Sequence, residues 1–188
     1  MLKFGLYALL IFIIATNFGI ESSSIAALIA AAEAAGEPLS ALVLRQQAIQ
    51  LEKTEQEVFD QMADTYKVMA ACIEPGCAED LRSTSGLTGG SAFKMRRAVE
   101  SGKTLTGGVL GGALYRALAV SELNAAMGRV VAAPTAGSCG ILPAALLTMQ
   151  NDLGCSERDC VMALFTASAV GMVIATNACV AGAQGGCQ

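Results

Sequence analysis

Three glycine-flanked polar stretches carry the groups of this chain that could do chemistry. The first, Ser83-Thr84-Ser85-Gly86-Leu87-Thr88-Gly89-Gly90, places hydroxyls and free backbone N–H groups just before a helix expected to begin near Ala92. A loop of this kind binds an anion at a helix N-terminus, or it is a Ser/Thr-rich capping loop without a ligand. The second, Ala133-Pro134-Thr135-Ala136-Gly137-Ser138-Cys139-Gly140-Ile141-Leu142-Pro143, is again rich in hydroxyls and glycine, but no charge occurs from Ala133 to Asn151. Polar atoms in such surroundings must be paired or must face a ligand. The third runs from Thr176 through Asn177 to Gln188 and holds Cys179 and Cys187. Cys187 follows a glycine doublet, which can present its sulfur from open backbone, whereas Cys179 follows a helix and is expected to be packed.

Other chemistries are excluded by residue type. The chain contains no histidine, so Ser-His-Asp and Cys-His catalysis and the His-containing zinc sites cannot be assembled from it. Twelve Lys and Arg against 16 Asp and Glu give a formal charge of −4, with no basic block; nucleic acid is not an expected partner. Ser101-Gly102-Lys103-Thr104 has the end of a phosphate-binding loop, but Arg97 stands where that motif requires glycine and no strand precedes it. Gly107 to Gly112 matches a dinucleotide fingerprint only loosely and lacks a βαβ setting. The seven cysteines are odd in number, with Cys72/Cys77 and Cys155/Cys160 spaced C-x4-C and no CxxC. That pattern suits free thiols in a reducing compartment, most of them buried as small apolar groups.

The elements that must position these groups are helical. The chain has 188 residues, 54% hydrophobic and only 15% charged, against about 25% charged in ordinary soluble domains. Ser24 reads as an N-cap, followed by Ile25, Leu28, Ile29 and Ala32 at helical spacing and a stop at Gly36-Glu37-Pro38. A second helix is expected from near Ser40. Thr54-Glu55-Gln56-Glu57 reads as a capping box opening one helix of about 18 residues, with Val58, Met62, Tyr66, Met69 and Ile73 as its apolar stripe and Glu74-Pro75-Gly76 as its end. Further helices are expected around Phe93–Glu100 and Val109–Met127, within the stretch from Gly86 to Gly140 that holds 11 of the 20 glycines. Val161–Ala175 is apolar nearly all round, inside an uncharged stretch from Cys160 to Gln188, which suits the centre of a bundle. The expected fold class is all-α, without repeats or a linker.

Residues 1–20 carry an apolar run from Leu6 to Ala15 after Lys3. The run is too short for a bilayer, which takes about 20 residues, but matches an export-signal core. An uncleaved anchor, a weak export signal and an upstream stretch foreign to the functional protein all remain open.

At the three loops the chain resembles the α chain of the bacterial iron-sulfur-dependent L-serine dehydratases, or L-serine ammonia-lyases. The matching text is STSGLTGGSAFKM at 83–95, GRVVAAPTAGSCGILPA at 128–144 and TNACVAGAQGGCQ at 176–188. The resemblance runs from about Glu21 to the last residue. It implies a helical dehydratase α-chain-like domain over 21–188, incomplete at its C-terminus, behind an apolar leader at 1–20. It also implies an oxygen-sensitive [4Fe-4S] cluster with three cysteine ligands and one open iron, Cys187 being the first ligand. In that mechanism the iron acts as a Lewis acid on the hydroxyl of L-serine, a base removes the α proton, and the aminoacrylate decays to pyruvate and ammonia. The resemblance further implies a substrate pocket at Ser85, Gly86, Thr88, Gly89, Gly90, Pro134, Thr135, Gly137, Ser138, Gly140 and Asn177, where hydroxyls and glycine N–H groups suit a carboxylate. No residue of this chain is assigned as the base.

Three departures accompany the resemblance. The family's other cluster cysteines lie downstream of the GGCQ text, and one thiolate cannot hold a [4Fe-4S] cluster; the chain by itself is therefore expected to be inactive and cluster-free. The family usually has Glu where Gln184 stands, which removes a negative charge beside the cluster site. Residues 1–20 have no counterpart, and a cytoplasmic protein with a misassigned or unusual start is the expectation. The absence of a preceding regulatory domain points to the two-chain form paired with a β chain. Two other readings compete. One is a small membrane-anchored helical protein, favoured by a mean hydropathy of +0.54 but opposed by the lack of about 18 consecutive apolar residues. The other is an inactive structural remnant of the family.

Overall fold

A computed structural model describes residues 24–133 and 135–177. The apolar leader at 1–20, Pro134, Cys179, Gln184 and Cys187 lie outside the described residues.

Among the described residues eight helices follow one another: α1 (Ile25–Ala35), α2 (Leu39–Gln50), α3 (Glu55–Ala71), α4 (Ile73–Gly76), α5 (Ser91–Glu100), α6 (Gly107–Ala125), α7 (Ile141–Leu153) and α8 (Glu157–Asn177). No strand occurs among the described residues, and the all-α expectation holds. The local signals act as the residues require. Ser24 Oγ accepts from the Ala27 N–H at 3.2 Å, and Gly36 closes α1 in the left-handed region at φ 65°. Thr54 and Glu57 form both halves of the capping box.

The stripe Val58, Met62, Tyr66, Met69 and Ile73 is buried as expected, but the helix that carries it is not continuous. It breaks at Cys72, whose N–H turns to the Met69 carbonyl at 3.3 Å, and restarts as the short α4. Pro75 has no N–H to return to the carbonyl of Ala71, so the regular ladder cannot pass that point.

α6 packs on α4, α5 and α7, while α8 packs mainly on α2 and α3; contacts of α7 with α3 and α8 join the two groups. One core runs through both, with Leu28, Val43, Met69, Val120, Val161 and Phe165 almost wholly enclosed. Glycines permit the closest approaches: a Cβ on Gly76 would stand 2.2 Å from the Ala119 carbonyl oxygen, and one on Gly140 would stand 2.5 Å from that of Ala117. α6 is thus clasped on two sides by backbone.

α8 departs from the expected all-round burial. Cys160, Val161, Leu164, Phe165, Ser168, Ala169, Met172 and Val173 form one buried face, while Ile174 is 48% exposed. Its 21 residues, with a best-window mean hydropathy of 1.7, meet the length and composition for crossing a membrane, but 44% of that window is buried inside the fold. Of the described cysteines, Cys72, Cys77, Cys139 and Cys160 are buried and Cys155 is half-buried, all as free thiols.

Candidate functional site

The first loop is closed on itself by its own hydroxyls. Ser83 N–H donates to the Thr88 carbonyl at 2.9 Å and Gly86 N–H to the Ser83 carbonyl at 2.8 Å. Ser83 Oγ accepts from Thr88 N–H at 3.1 Å and lies 3.1 Å from Ser85 Oγ, which accepts from Leu87 N–H at 3.4 Å. Gly89 and Gly90 both adopt positive φ, and a Cβ on Gly89 would fall 2.2 Å from the Leu81 carbonyl oxygen. Ser85, Gly86 and Thr88 are exposed, Gly89 is half-buried and Gly90 buried. The Thr88 hydroxyl takes no part in these bonds.

Behind this loop the structure corrects the expectation of free N–H groups at the helix start. Glu122, on α6 and only 8% exposed, accepts from the N–H groups of Gly90 at 3.1 Å, Ser91 at 2.8 Å and Ala92 at 3.3 Å. The first turn of α5 is therefore already served by an anion from within the chain. Three donors and the positive end of the helix offset the burial of that carboxylate.

The second loop is also tied internally. Thr135 Oγ1 and Ser138 Oγ lie 3.0 Å apart; each accepts from the other residue's N–H at 3.3 Å, and Ser138 Oγ donates to the Ala133 carbonyl at 2.8 Å. Thr135 and Ser138 are half-buried, Gly137 is exposed and Gly140 is buried. Cys139, inside this loop, is fully enclosed, and burial raises its thiol pKa, which favours the thiol over the reactive thiolate. Cys72, which donates to the Arg129 carbonyl at 3.3 Å, is pushed up to about 11 by burial and by Cys139.

Both loops hang from the last turn of α6. The N–H and hydroxyl of Thr84 reach the Ala125 carbonyl at 3.0 and 3.3 Å, and the Asn124 side chain donates to the Ala136 carbonyl at 3.1 Å. Gly140 seats the second loop against Ala117 and Ser121. The two sequence-distant polar loops are thus brought to one end of one helix. Asn177 ends α8, where its amide donates to the Val173 carbonyl at 2.8 Å and stands 3.2 Å from the Thr176 hydroxyl.

Glu122 and Asn124 were not among the residues singled out from sequence. The available signal was periodicity: Gly112, Arg116, Ala119 and Glu122 fall at helical spacing on the buried side of α6, and a charge there demands partners. Beside this carboxylate lies Cys77, 6% exposed. Burial pushes the Cys77 thiol up, Arg96 opposes that shift, and Glu74 and Glu122 add to it. Arg96 itself is held by Glu74 and Glu100, each at 3.0 Å. Among the described residues no group of three or more Cys, Asp or Glu is placed to hold a metal ion.

A family model described as "Serine dehydratase alpha chain" matches residues 25–188. The chain is 41% identical over 150 residues to the "Probable L-serine dehydratase, alpha chain" of Bacillus subtilis (strain 168), covering 80% of this chain and 50% of that protein. It is 33% identical over 147 residues to the "L-serine dehydratase, alpha chain" of Peptoniphilus asaccharolyticus, covering 78% and 50%. With the "L-serine dehydratase" of Streptomyces coelicolor it shares 35% over 160 residues, covering 81% and 34%. The chain therefore spans half or less of the length of these relatives. No solved structure matches it.

Proposed function

The chain belongs to the serine dehydratase alpha chain family, and from that premise we propose that it supplies the serine-binding helical part of an L-serine ammonia-lyase, which converts L-serine to pyruvate and ammonia. The observation that carries this reading is the convergence of the two hydroxyl- and glycine-rich loops on the last turn of α6. Ser85, Thr88, Thr135 and Ser138, on two loops anchored to the same helix turn, are neutral donors and acceptors suited to a small zwitterion whose carboxylate and ammonium both need hydrogen bonds. The exposed Thr88 hydroxyl and the exposed backbone at Gly137 are the groups most open to such a ligand.

Iron-sulfur dependence is proposed for the assembled enzyme, with Cys187 giving one thiolate. The described residues do not fit a [4Fe-4S] cluster by themselves, because they offer no three-ligand group and a cubane takes three or four thiolates. Their share is to bind and orient the substrate, and the chain on its own is expected to turn over no serine. A serine dehydratase β chain is the proposed partner. A cytoplasmic setting is proposed as well, supported by five free thiols among the described residues that suit a reducing compartment.

Calorimetric titration of the 188-residue chain with L-serine tests the reading, with D-serine as control. Saturable binding of L-serine, weakened about tenfold by Thr135→Val through loss of one charge-assisted hydrogen bond, is the expected result. Absence of L-serine binding, both alone and after addition of a β chain, overturns it.

A further inference from the structure

We propose that Glu122 is a positioning residue that sets the separation of the two loops by serving as the permanent anion at the N-terminus of α5, which excludes the substrate's carboxylate from that helix end. The inference rests on the reading of the loops as the serine site and adds what holds them in register.

The geometry carries it. α5 is preceded by Gly90 in the left-handed region, which gives the helix no side-chain cap of its own. Its first N–H groups instead converge on one carboxylate from a residue 32 positions away. The same α6 turn takes the front of the loop, where Thr84 reaches the Ala125 carbonyl, and takes the second loop through Asn124. The first loop is therefore bridged between positions 122 and 125, and the second hangs from Asn124, within that span. A helix turn is stiff, since each residue is fixed by its ladder bonds, so spacing along α6 becomes spacing between the loops. Removing the carboxylate leaves three donors, those of Gly90 and Ala92 buried and that of Ser91 part-buried, without this acceptor, and the first loop joined to α6 through Thr84.

A vacated carboxylate site at a helix N-terminus retains its affinity for a small carboxylate, and that makes the role testable by rescue. In Glu122→Ala, amide hydrogen exchange at Gly90, Ser91 and Ala92 is expected to accelerate, and L-serine affinity to fall about tenfold. Formate at millimolar concentration is expected to restore both toward the parent values, while leaving the parent chain unchanged. Unaltered serine affinity in Glu122→Ala, or no response of that variant to formate, overturns the proposal. Should Glu122→Ala not fold, Glu122→Gln, which keeps the volume and one acceptor oxygen, is judged by exchange at the same three amides and by serine affinity; parent-like values in both overturn the proposal. If the parent chain binds no serine either alone or after addition of a β chain, the functional reading fails by itself, and exchange with formate rescue still decides whether Glu122 is the anion of α5.

Discussion

Arg116 of α6 grips Asp152 of α7 through two bonds, Nη1 to Oδ2 at 2.6 Å and Nη2 to Oδ1 at 3.2 Å. The arginine side chain is only 7% exposed against 28% for the aspartate. Nη1 also donates to Thr148 Oγ1 at 2.8 Å, and the guanidinium stands 5.2 Å from the ring centre of Tyr115. Burial alone would lower the guanidinium pKa, but the bond to Asp152 and the nearby Tyr115 outweigh it and raise it. Gly112 acquires a reason here: a Cβ on it would lie 2.9 Å from Asp152 Oδ2 and 3.0 Å from Arg116 Nη1.

Breaking this pair from the acidic side leaves a charge enclosed. Asp152→Ala is expected to cost about 2 to 3 kcal/mol, below the full cost of a wholly buried pair because water reaches the aspartate. Arg116→Met is expected to cost less, since it removes the charge and keeps the packing. Urea unfolding midpoints of the two variants check the order; a larger loss for Arg116→Met contradicts it.

Two glycines separate steric approach from backbone strain. Gly76→Ala drives a Cβ into the Ala119 backbone and is expected to cost about 2 to 3 kcal/mol, an overpacking penalty. Gly36→Ala meets no atom within 4 Å and pays only for φ 65°, about 1 kcal/mol. Thermal unfolding of both variants tests the ranking.

The buried thiols predict an alkaline limit. Cys72, Cys77, Cys139 and Cys160 all bind their protons more tightly in the fold than at the ordinary value of 9.0, chiefly through burial, and Cys72 is pushed up to about 11. The unfolded chain loses these protons first, so stability falls as pH rises above about 9 and goes on falling until the native thiols titrate. The Tyr66 phenol, raised by burial and by Cys160, acts in the same sense at higher pH. Unfolding free energies measured from neutral to alkaline pH should decline on that schedule, and Cys72→Ala should flatten the decline.

Alkylation should follow enclosure. Among the described cysteines, Cys155 is expected to react first with iodoacetamide and Cys72 and Cys139 last, since the latter are 2% and 0% exposed and held as thiols. Peptide mapping after brief labelling checks the order; early modification of Cys139 contradicts the closed second loop.

What the sequence by itself determined is what acts over one helical turn. The Ser24 cap, the Thr54–Glu57 box, the Gly36 stop and the stripe from Val58 to Ile73 were all legible, because each depends on residues three or four apart. The two polar loops were legible too, as hydroxyls and glycines in an apolar setting. Tertiary structure alone decided that both loops meet at one turn of α6, that Glu122 reaches 32 positions back to Gly90, and that Arg116 finds Asp152 36 positions on. It also decided that α8 buries one face rather than all, because an uncharged apolar helix carries no mark of which side its neighbours will cover. Such pairings have no period along the chain; they arise when folding removes a charge from water and leaves it with one partner of the right chemistry within reach.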